Sequence, residues 1–319
     1  MTDKEALKPE GIQTVAVAGA GIMGSSIAQI LAEKGCTVML YDIEEQSLEL
    51  SRNLIDINQK ELVSQGKLTQ SQSDHCRGMI EHTLDKGCFA KADFVIEAIP
   101  EKMEAKHAFW REISEIVPAH AILTSNTSGL SLTEIALAVK LPGRFVGMHW
   151  INPAHLIPLV EVTCAELTEE KAARTVYDFA KQVGKKPIMV QKDAPGFVLN
   201  RIQFAVLREA LHIVESGIAS TEDVDNVLKF GLGMRYAAIG PFETADLGGL
   251  DTFYSIALYL FPELSDTKSV SPLLENLVKH GEYGVKSGKG FYDYSDGKDK
   301  EALDRRDELL LKLAKCLYS

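Results

Sequence analysis

Residues Val15 to Asp42 constrain this chain more than any other stretch. A short apolar run, Val15-Ala16-Val17-Ala18, breaks into Gly19-Ala20-Gly21-Ile22-Met23-Gly24, and eighteen residues later a second apolar run closes on Tyr41-Asp42. The spacing predicts a buried parallel strand, a tight turn and a helix from Met23 to Lys34, where apolar residues recur at helical period. Each glycine has its own geometric duty: Gly19 permits the turn, Gly21 lets the main chain approach a pyrophosphate, and Gly24 lets the helix pack closely on its strand. The helix start at Ile22 and Met23 then offers unpaired N–H groups and a positive dipole end to phosphate. Asp42 closes the next strand, where it is placed to accept hydrogen bonds from both ribose hydroxyls of an adenosine. Ile43, Glu44 and Glu45 follow it and bring no cation for a 2′-phosphate. The expected cofactor is therefore NAD rather than NADP.

The chain has 319 residues, 45% hydrophobic and 25% charged, enough for two domains with cores of their own. Its net charge of -11 argues against nucleic acid or an anionic membrane as partner, since both would be repelled over most of the surface. No apolar run reaches the ~18 residues of a membrane span. The first residues, Met-Thr-Asp-Lys-Glu-Ala, lack a signal-peptide core, so a cytoplasmic location is expected. Cys36, Cys76, Cys88, Cys164 and Cys316 are odd in number and show no CxxC spacing, which predicts buried thiols and neither disulfides nor a zinc site.

From Thr14 to about Gln191 the pattern alternates. Apolar runs at Val15–Ala18, Thr37–Tyr41, Phe94–Ile99, Ala121–Ser125, Phe145–Trp150 and Pro187–Val190 are separated by segments of helical period, including a long one from Glu44 to Gly66. This is the pattern of an α/β fold, a Rossmann-type doubly wound sheet covered on both faces. After Lys192, Asp193-Ala194-Pro195-Gly196 is a break, and the rest carries helical periods only: Arg201–Ser216, a segment capped by Ser220, Pro272–His280 and Glu301–Leu317. The expected domains are residues 1–192, binding NAD, and 193–319, an all-helical C-terminal part.

Residues just past the carboxyl ends of parallel strands line the ligand crevice. Two runs fall there: Thr124-Ser125-Asn126-Thr127-Ser128 and His149-Trp150-Ile151-Asn152-Pro153. Glu161 sits among four apolar neighbours in Pro158-Leu159-Val160-Glu161-Val162, and a buried acid needs a partner. A histidine is the natural one. A carboxylate on one imidazole nitrogen fixes the tautomer and raises the basicity of the other, which suits removal of a hydroxyl proton. From these residues alone, an ordinary core or surface pair is the alternative.

The ordered motifs resemble the 3-hydroxyacyl-CoA dehydrogenase family from Val15 to Tyr294. They are the glycine run, Glu97-Ala98-Ile99-Pro100-Glu101 with Lys106, Ser125-Asn126-Thr127-Ser128, His149-Trp150-Ile151-Asn152-Pro153, Gly196-Phe197-Val198-Leu199-Asn200-Arg201, Gly240-Pro241-Phe242-Glu243 and Lys286-Ser287-Gly288-Lys289-Gly290-Phe291-Tyr292. The resemblance implies His149 as base, Glu161 as its orienting acid, and Ser128 and Asn200 as the groups holding the substrate oxygen. Asn126, Asn152, Glu101 and Lys106 would lie near the cofactor, the last two at its nicotinamide ribose. It also implies a small-molecule substrate, a 3-hydroxyacyl-CoA such as 3-hydroxybutyryl-CoA, and a homodimer formed through the C-terminal domain.

Two departures concern the acyl carrier. Where family members place lysines for CoA phosphates, this chain reads Ser64-Gln65-Gly66-Lys67, leaving Lys67 and Lys60. Gly231-Leu232-Gly233-Met234-Arg235-Tyr236-Ala237 resembles instead the lambda-crystallin and L-gulonate dehydrogenase branch, and more loosely L-carnitine dehydrogenases. Arg235 would offer a bidentate fork to the carboxylate of a free 3-hydroxy acid, or else lie on the surface or pair with an acid such as Glu243. A free 3-hydroxy acid is thus the alternative substrate class, and a non-catalytic NAD-binding protein the alternative of a different kind.

Overall fold

A computed structural model of the chain describes residues 11–318. The chain divides into two compact units, one through Asn200 and one from Arg201 onward. The first unit runs β1 (Thr14–Ala18), α1 (Ile22–Glu33), β2 (Thr37–Tyr41), α2 (Glu45–Ser64), α3 (Gln70–Gly78), β3 (Ile80–Thr83), β4 (Phe94–Glu97) and α4 (Met103–Ile116). It continues through β5 (Ile122–Ser125), α5 (Leu132–Ala136), β6 (Phe145–Trp150), β7 (Leu159–Cys164), α6 (Glu170–Gln182) and β8 (Lys186–Val190). The strands form one eight-stranded sheet in the order β3-β2-β1-β4-β5-β6-β7-β8. All neighbours are parallel except β6 and β7. This is the doubly wound Rossmann-type sheet expected from the alternation of apolar runs.

Strand alternation explains why the central strands read as unbroken apolar runs. Val15 and Val17 enter one core with Ile27 and Leu31 of α1 and Phe179 of α6. Ala16 and Ala18 enter the other with Trp110 and Ile113 of α4 and Leu132 of α5. Two strands are additions to the sequence reading. β3 is an edge strand whose Glu81 and His82 hide its period, and β7 is interrupted at its middle by Glu161. Polar caps mark the helix starts: Thr69 and Gln72 form a capping box on α3, and the Ser131 hydroxyl accepts the Glu134 N–H on α5.

Past the sheet, α7 (Leu199–Glu215) leads to α8 (Thr221–Val227), a wider turn at Leu228–Leu232, α9 (Gly233–Ala238), α10 (Pro241–Gly248), α11 (Leu250–Leu260), α12 (Pro272–Lys279) and α13 (Lys298–Tyr318). Ser220 caps α8 through the Asp223 N–H at 3.1 Å, as the sequence predicts. Among the described residues from Arg201 onward, only Leu211 is buried. None of the five cysteines is in a disulfide; Cys36, Cys76 and Cys88 are buried as expected, but Cys164 is half-buried and Cys316 is exposed on α13, so the expectation of buried thiols fails at those two. Among the described residues, no helix is long and apolar enough to cross a membrane, and no side-chain cluster could hold a metal ion.

Candidate active site

The strand order reverses direction of travel between β1 and β4, and a crevice opens there at the carboxyl ends of the strands. Gly19 has φ +100°, and a Cβ on it would lie 2.5 Å from the Ala98 carbonyl oxygen. A Cβ on Gly24 would lie 1.7 Å from the Gly19 oxygen, so α1 packs against the turn at a distance that only glycine allows. Gly21 is the opposite case, with nothing within 4 Å of its would-be Cβ. It borders a cavity of about 780 Å³ lined also by Gly19, Ile22, Met23, Asp42 and Ile99. Asp42 is held rigidly, Oδ2 accepting the Ala20 N–H at 2.7 Å and Oδ1 the Glu44 N–H at 3.1 Å. The first turn of α1 carries no acidic residue. An open glycine, a helix start free of negative charge and an anchored acid fit a dinucleotide: Gly21, Ile22 and Met23 would face its phosphates and Asp42 its adenosine ribose.

Antiparallel pairing of β6 with β7 sets His149 directly opposite Glu161. The His149 Nδ1–H donates to Glu161 Oε2 at 2.8 Å. Glu161 is fully buried, and its other oxygen accepts the N–H groups of Val198 at 3.0 Å and Leu199 at 2.8 Å. Those amides open α7, so the positive end of that helix points at the carboxylate. Burial alone would raise the Glu161 carboxyl, but the His149 bond and the two amides outweigh it and hold it below the usual carboxylate range. Phe197, buried with φ 49°, places its ring 5.8 Å from the imidazole. The pair is what a general base requires: a fixed tautomer with Nε2 left to act.

A second polar cluster joins the ends of β4 and β5. Lys106, 1% exposed, sets its ammonium 2.6 Å from Glu97 and 3.2 Å from Glu101. Glu97 is fully buried and also accepts the Ser125 hydroxyl at 2.6 Å and the Ile99 N–H at 3.1 Å. Glu101 accepts the Thr127 hydroxyl at 2.6 Å and the Ser128 N–H at 2.8 Å, and 43% of its side chain remains exposed. Burial raises the Glu101 carboxyl, yet Thr127, Lys106 and the Ser128 amide together bring it below the usual value. Sequence reasoning quoted Glu97 only as part of a motif and gave it no role, because it closes an apolar strand and looked like part of it. The available signal was an acid at a strand end nine residues before a lysine on a helical period.

The remaining candidates fall into two groups. Asn200 Nδ2 donates to the Ser128 carbonyl at 2.8 Å, bringing those two residues together. Asn126 Oδ1 accepts the Trp150 N–H at 2.7 Å, which ties the end of β5 to the strand that carries His149. Asn152 is exposed just beyond β6. Arg235 belongs to the second unit, exposed on α9. Lys60, one of the two lysines left near the end of α2, is paired with Asp56 at 2.5 Å.

Residues 14–194 match the family model described as 3-hydroxyacyl-CoA dehydrogenase, NAD binding domain, and residues 196–294 the one described as 3-hydroxyacyl-CoA dehydrogenase, C-terminal domain. The probable 3-hydroxybutyryl-CoA dehydrogenase of Bacillus subtilis is 41% identical over 288 residues, 89% of this chain and 98% of its own. The 5-formyl-3-hydroxy-2-methylpyridine 4-carboxylate 5-dehydrogenase of Mesorhizobium japonicum is 34% identical over 307 residues, 96% of this chain and 98% of its own. A crystal structure of an enzyme of that name, described as an NAD+ dependent dismutase, superposes with a TM-score of 0.89 at 34% identity, covering 96% of this chain and 98% of its own. The (S)-3-hydroxybutyryl-CoA dehydrogenase from Ralstonia eutropha gives a TM-score of 0.76 at 34% identity over 90% of this chain and 100% of its own.

Proposed function

The chain belongs to the 3-hydroxyacyl-CoA dehydrogenase family, NAD-dependent oxidoreductases acting on CH–OH, and we propose that it oxidises an L-3-hydroxyl with His149 as its general base. The observation that carries this reading is the buried His149–Glu161 pair, with Nδ1 engaged at 2.8 Å and Nε2 left to act. Bound NAD supplies the hydride acceptor, nicotinamide C4. His149 Nε2 takes the substrate hydroxyl proton, and Glu161 stays ionised and stabilises the imidazolium that results. The Ser128 hydroxyl and the second N–H of the Asn200 amide hold the substrate oxygen as it becomes a carbonyl. In the reverse direction the protonated imidazole returns its proton to that oxygen. Asn126, Asn152 and Glu101 form the polar wall on the cofactor side.

The substrate class in this reading is a short 3-hydroxyacyl-CoA, 3-hydroxybutyryl-CoA foremost, supported by relatives such as the Bacillus subtilis enzyme. One set of observations favours a free 3-hydroxy acid as a second reading. The Mesorhizobium japonicum relative, named for a carboxylate substrate, matches over 96% of this chain. Lys60 already pairs with Asp56, and Arg235 is an exposed fork suited to a carboxylate. A homodimer completes the proposal, with the large exposed apolar side chains of the second unit, among them Phe230, Phe242 and Tyr254, as its support. The test is a panel of short 3-hydroxyacyl-CoA esters and free 3-hydroxy acids with NAD, comparing the native enzyme with His149→Ala and Arg235→Ala. His149→Ala is expected to lower turnover at least about a hundredfold, and undiminished turnover removes the base assignment. A KM raised by Arg235→Ala for a free acid alone selects the second reading.

A further inference from the structure

Glu97 is wholly buried beside the cleft, and like Glu161 it is held by three donors. Its two oxygens receive the Lys106 ammonium, the Ser125 hydroxyl and the Ile99 N–H. Lys106 is equally buried and serves two carboxylates, nearer to Glu97 at 2.6 Å than to Glu101 at 3.2 Å. Only Glu101 reaches outward. An ion pair this deep would by itself add little stability over an apolar pair of equal volume, so a role in stability alone explains it poorly. Its placement suggests a different role. Lys106 holds Glu101 Oε2 while Thr127 and the Ser128 amide hold Oε1, which fixes the plane of the outward carboxylate. Because Glu97 neutralises Lys106, the three side chains together retain one negative charge, and that charge sits on the exposed member.

We propose that Glu97 is a positioning residue: by sharing Lys106 with Glu101 it sets the direction and net charge of the carboxylate that faces the cofactor, and so the preference between oxidised and reduced cofactor. The proposal rests on the reading that places the nicotinamide end of NAD beside Glu101. Oxidised nicotinamide carries a positive ring that the reduced form lacks, so a cluster of net charge minus one favours NAD+ and a neutral cluster does not. Glu97→Gln keeps the shape and one acceptor oxygen, for Lys106 and the Ile99 N–H, turns the other position into an amide donor that the Ser125 hydroxyl can accept by rotating, and brings the cluster to zero. Glu97→Gln with Lys106→Gln returns it to minus one.

The experiment measures dissociation constants of NADH by its fluorescence and of NAD+ by competition, in native enzyme, Glu97→Gln, Glu101→Gln and the double variant. Glu97→Gln and Glu101→Gln are each expected to shift the ratio about tenfold toward NADH, and the double variant to lie within about twofold of native. A merely structural role would lower the melting temperature and leave the ratio alone, with damage that adds in the double variant. A ratio that moves in Glu101→Gln but not in Glu97→Gln overturns this proposal alone, whereas no movement in Glu101→Gln removes the placement of the cofactor and the proposal with it. Should Glu97→Gln fail to fold, the double variant, free of the buried ion pair, still decides: a tenfold shift there overturns the proposal.

Discussion

A carboxylate cut off from water must find its stabilisation locally, and Glu161 finds it in three donors: the His149 ring and the amides of Val198 and Leu199. Replacing it with Gln keeps the volume but removes the charge that fixes the imidazole tautomer. We expect Glu161→Gln to lower kcat about a hundredfold with KM changed less than about threefold, measured by initial rates. The depressed Glu161 carboxyl also makes a pH statement. A group whose folded pKa lies below its unfolded one stabilises the fold above the usual carboxylate range, and that contribution is lost as pH falls through the folded value. Acid should therefore lower the melting temperature more steeply in native protein than in Glu161→Gln. Gly24 gives a steric counterpart: with 1.7 Å between a new Cβ and the Gly19 oxygen, Gly24→Ala should abolish NADH binding seen by fluorescence. At this scale the sequence discloses residues whose type is costly in its setting, such as glycine in a turn or an acid in an apolar run. Glu97 escaped because its partners, Ser125 and Lys106, are brought to it only by the pairing of β4 with β5 and the packing of α4.

Among the elements, β3 shows how an edge strand holds on with a polar sequence. His82 approaches Ser51 of α2 at 3.3 Å, and the Ser51 hydroxyl is bonded in turn to Ser25 of α1 at 2.8 Å, so one chain of side chains ties strand to both helices. Burial, aided by the Arg52 charge, pushes the His82 imidazole down to about 4. The fold thus favours the neutral ring: this contribution is complete above the unfolded value near 6.5 and is lost as pH falls from there toward about 4. Urea melts at pH values of about 7.5 and 4.5 should show His82→Gln losing less stability between them than native protein, and equal losses would refute the assignment. The same elements mark where periodicity reads well. Buried central strands with continuous apolar runs are evident, whereas β3 and β7 are obscured because the residues that break their patterns, His82 and Glu161, are partnered across neighbouring elements.

For the whole molecule, the contrast between the two units decides what can be tested. The first closes two cores around its sheet, while the second, among its described residues, buries only Leu211. On α11 the side chains of Tyr254 and Leu258 are 67% and 63% exposed, and on α10 Phe242 is 87% exposed. Helical period in the sequence located α7, α8, α12 and α13 but passed over α10 and α11, and it could not say what covers any of them, because an apolar position reads the same whether its neighbour is the same chain or a second copy. Monomeric proteins seldom leave so much large apolar surface in water, and a second copy offering the same faces is the economical cover. Sedimentation should then give a dimer for native protein across the micromolar range, with an unfolding midpoint that rises with protein concentration. Tyr254→Glu with Leu258→Glu should yield monomer and erase that concentration dependence, since two carboxylates forced into an apolar interface would go unsolvated. A native protein that sediments as monomer at about 100 µM would leave those faces without their proposed cover and return the second unit to the question of what completes its core.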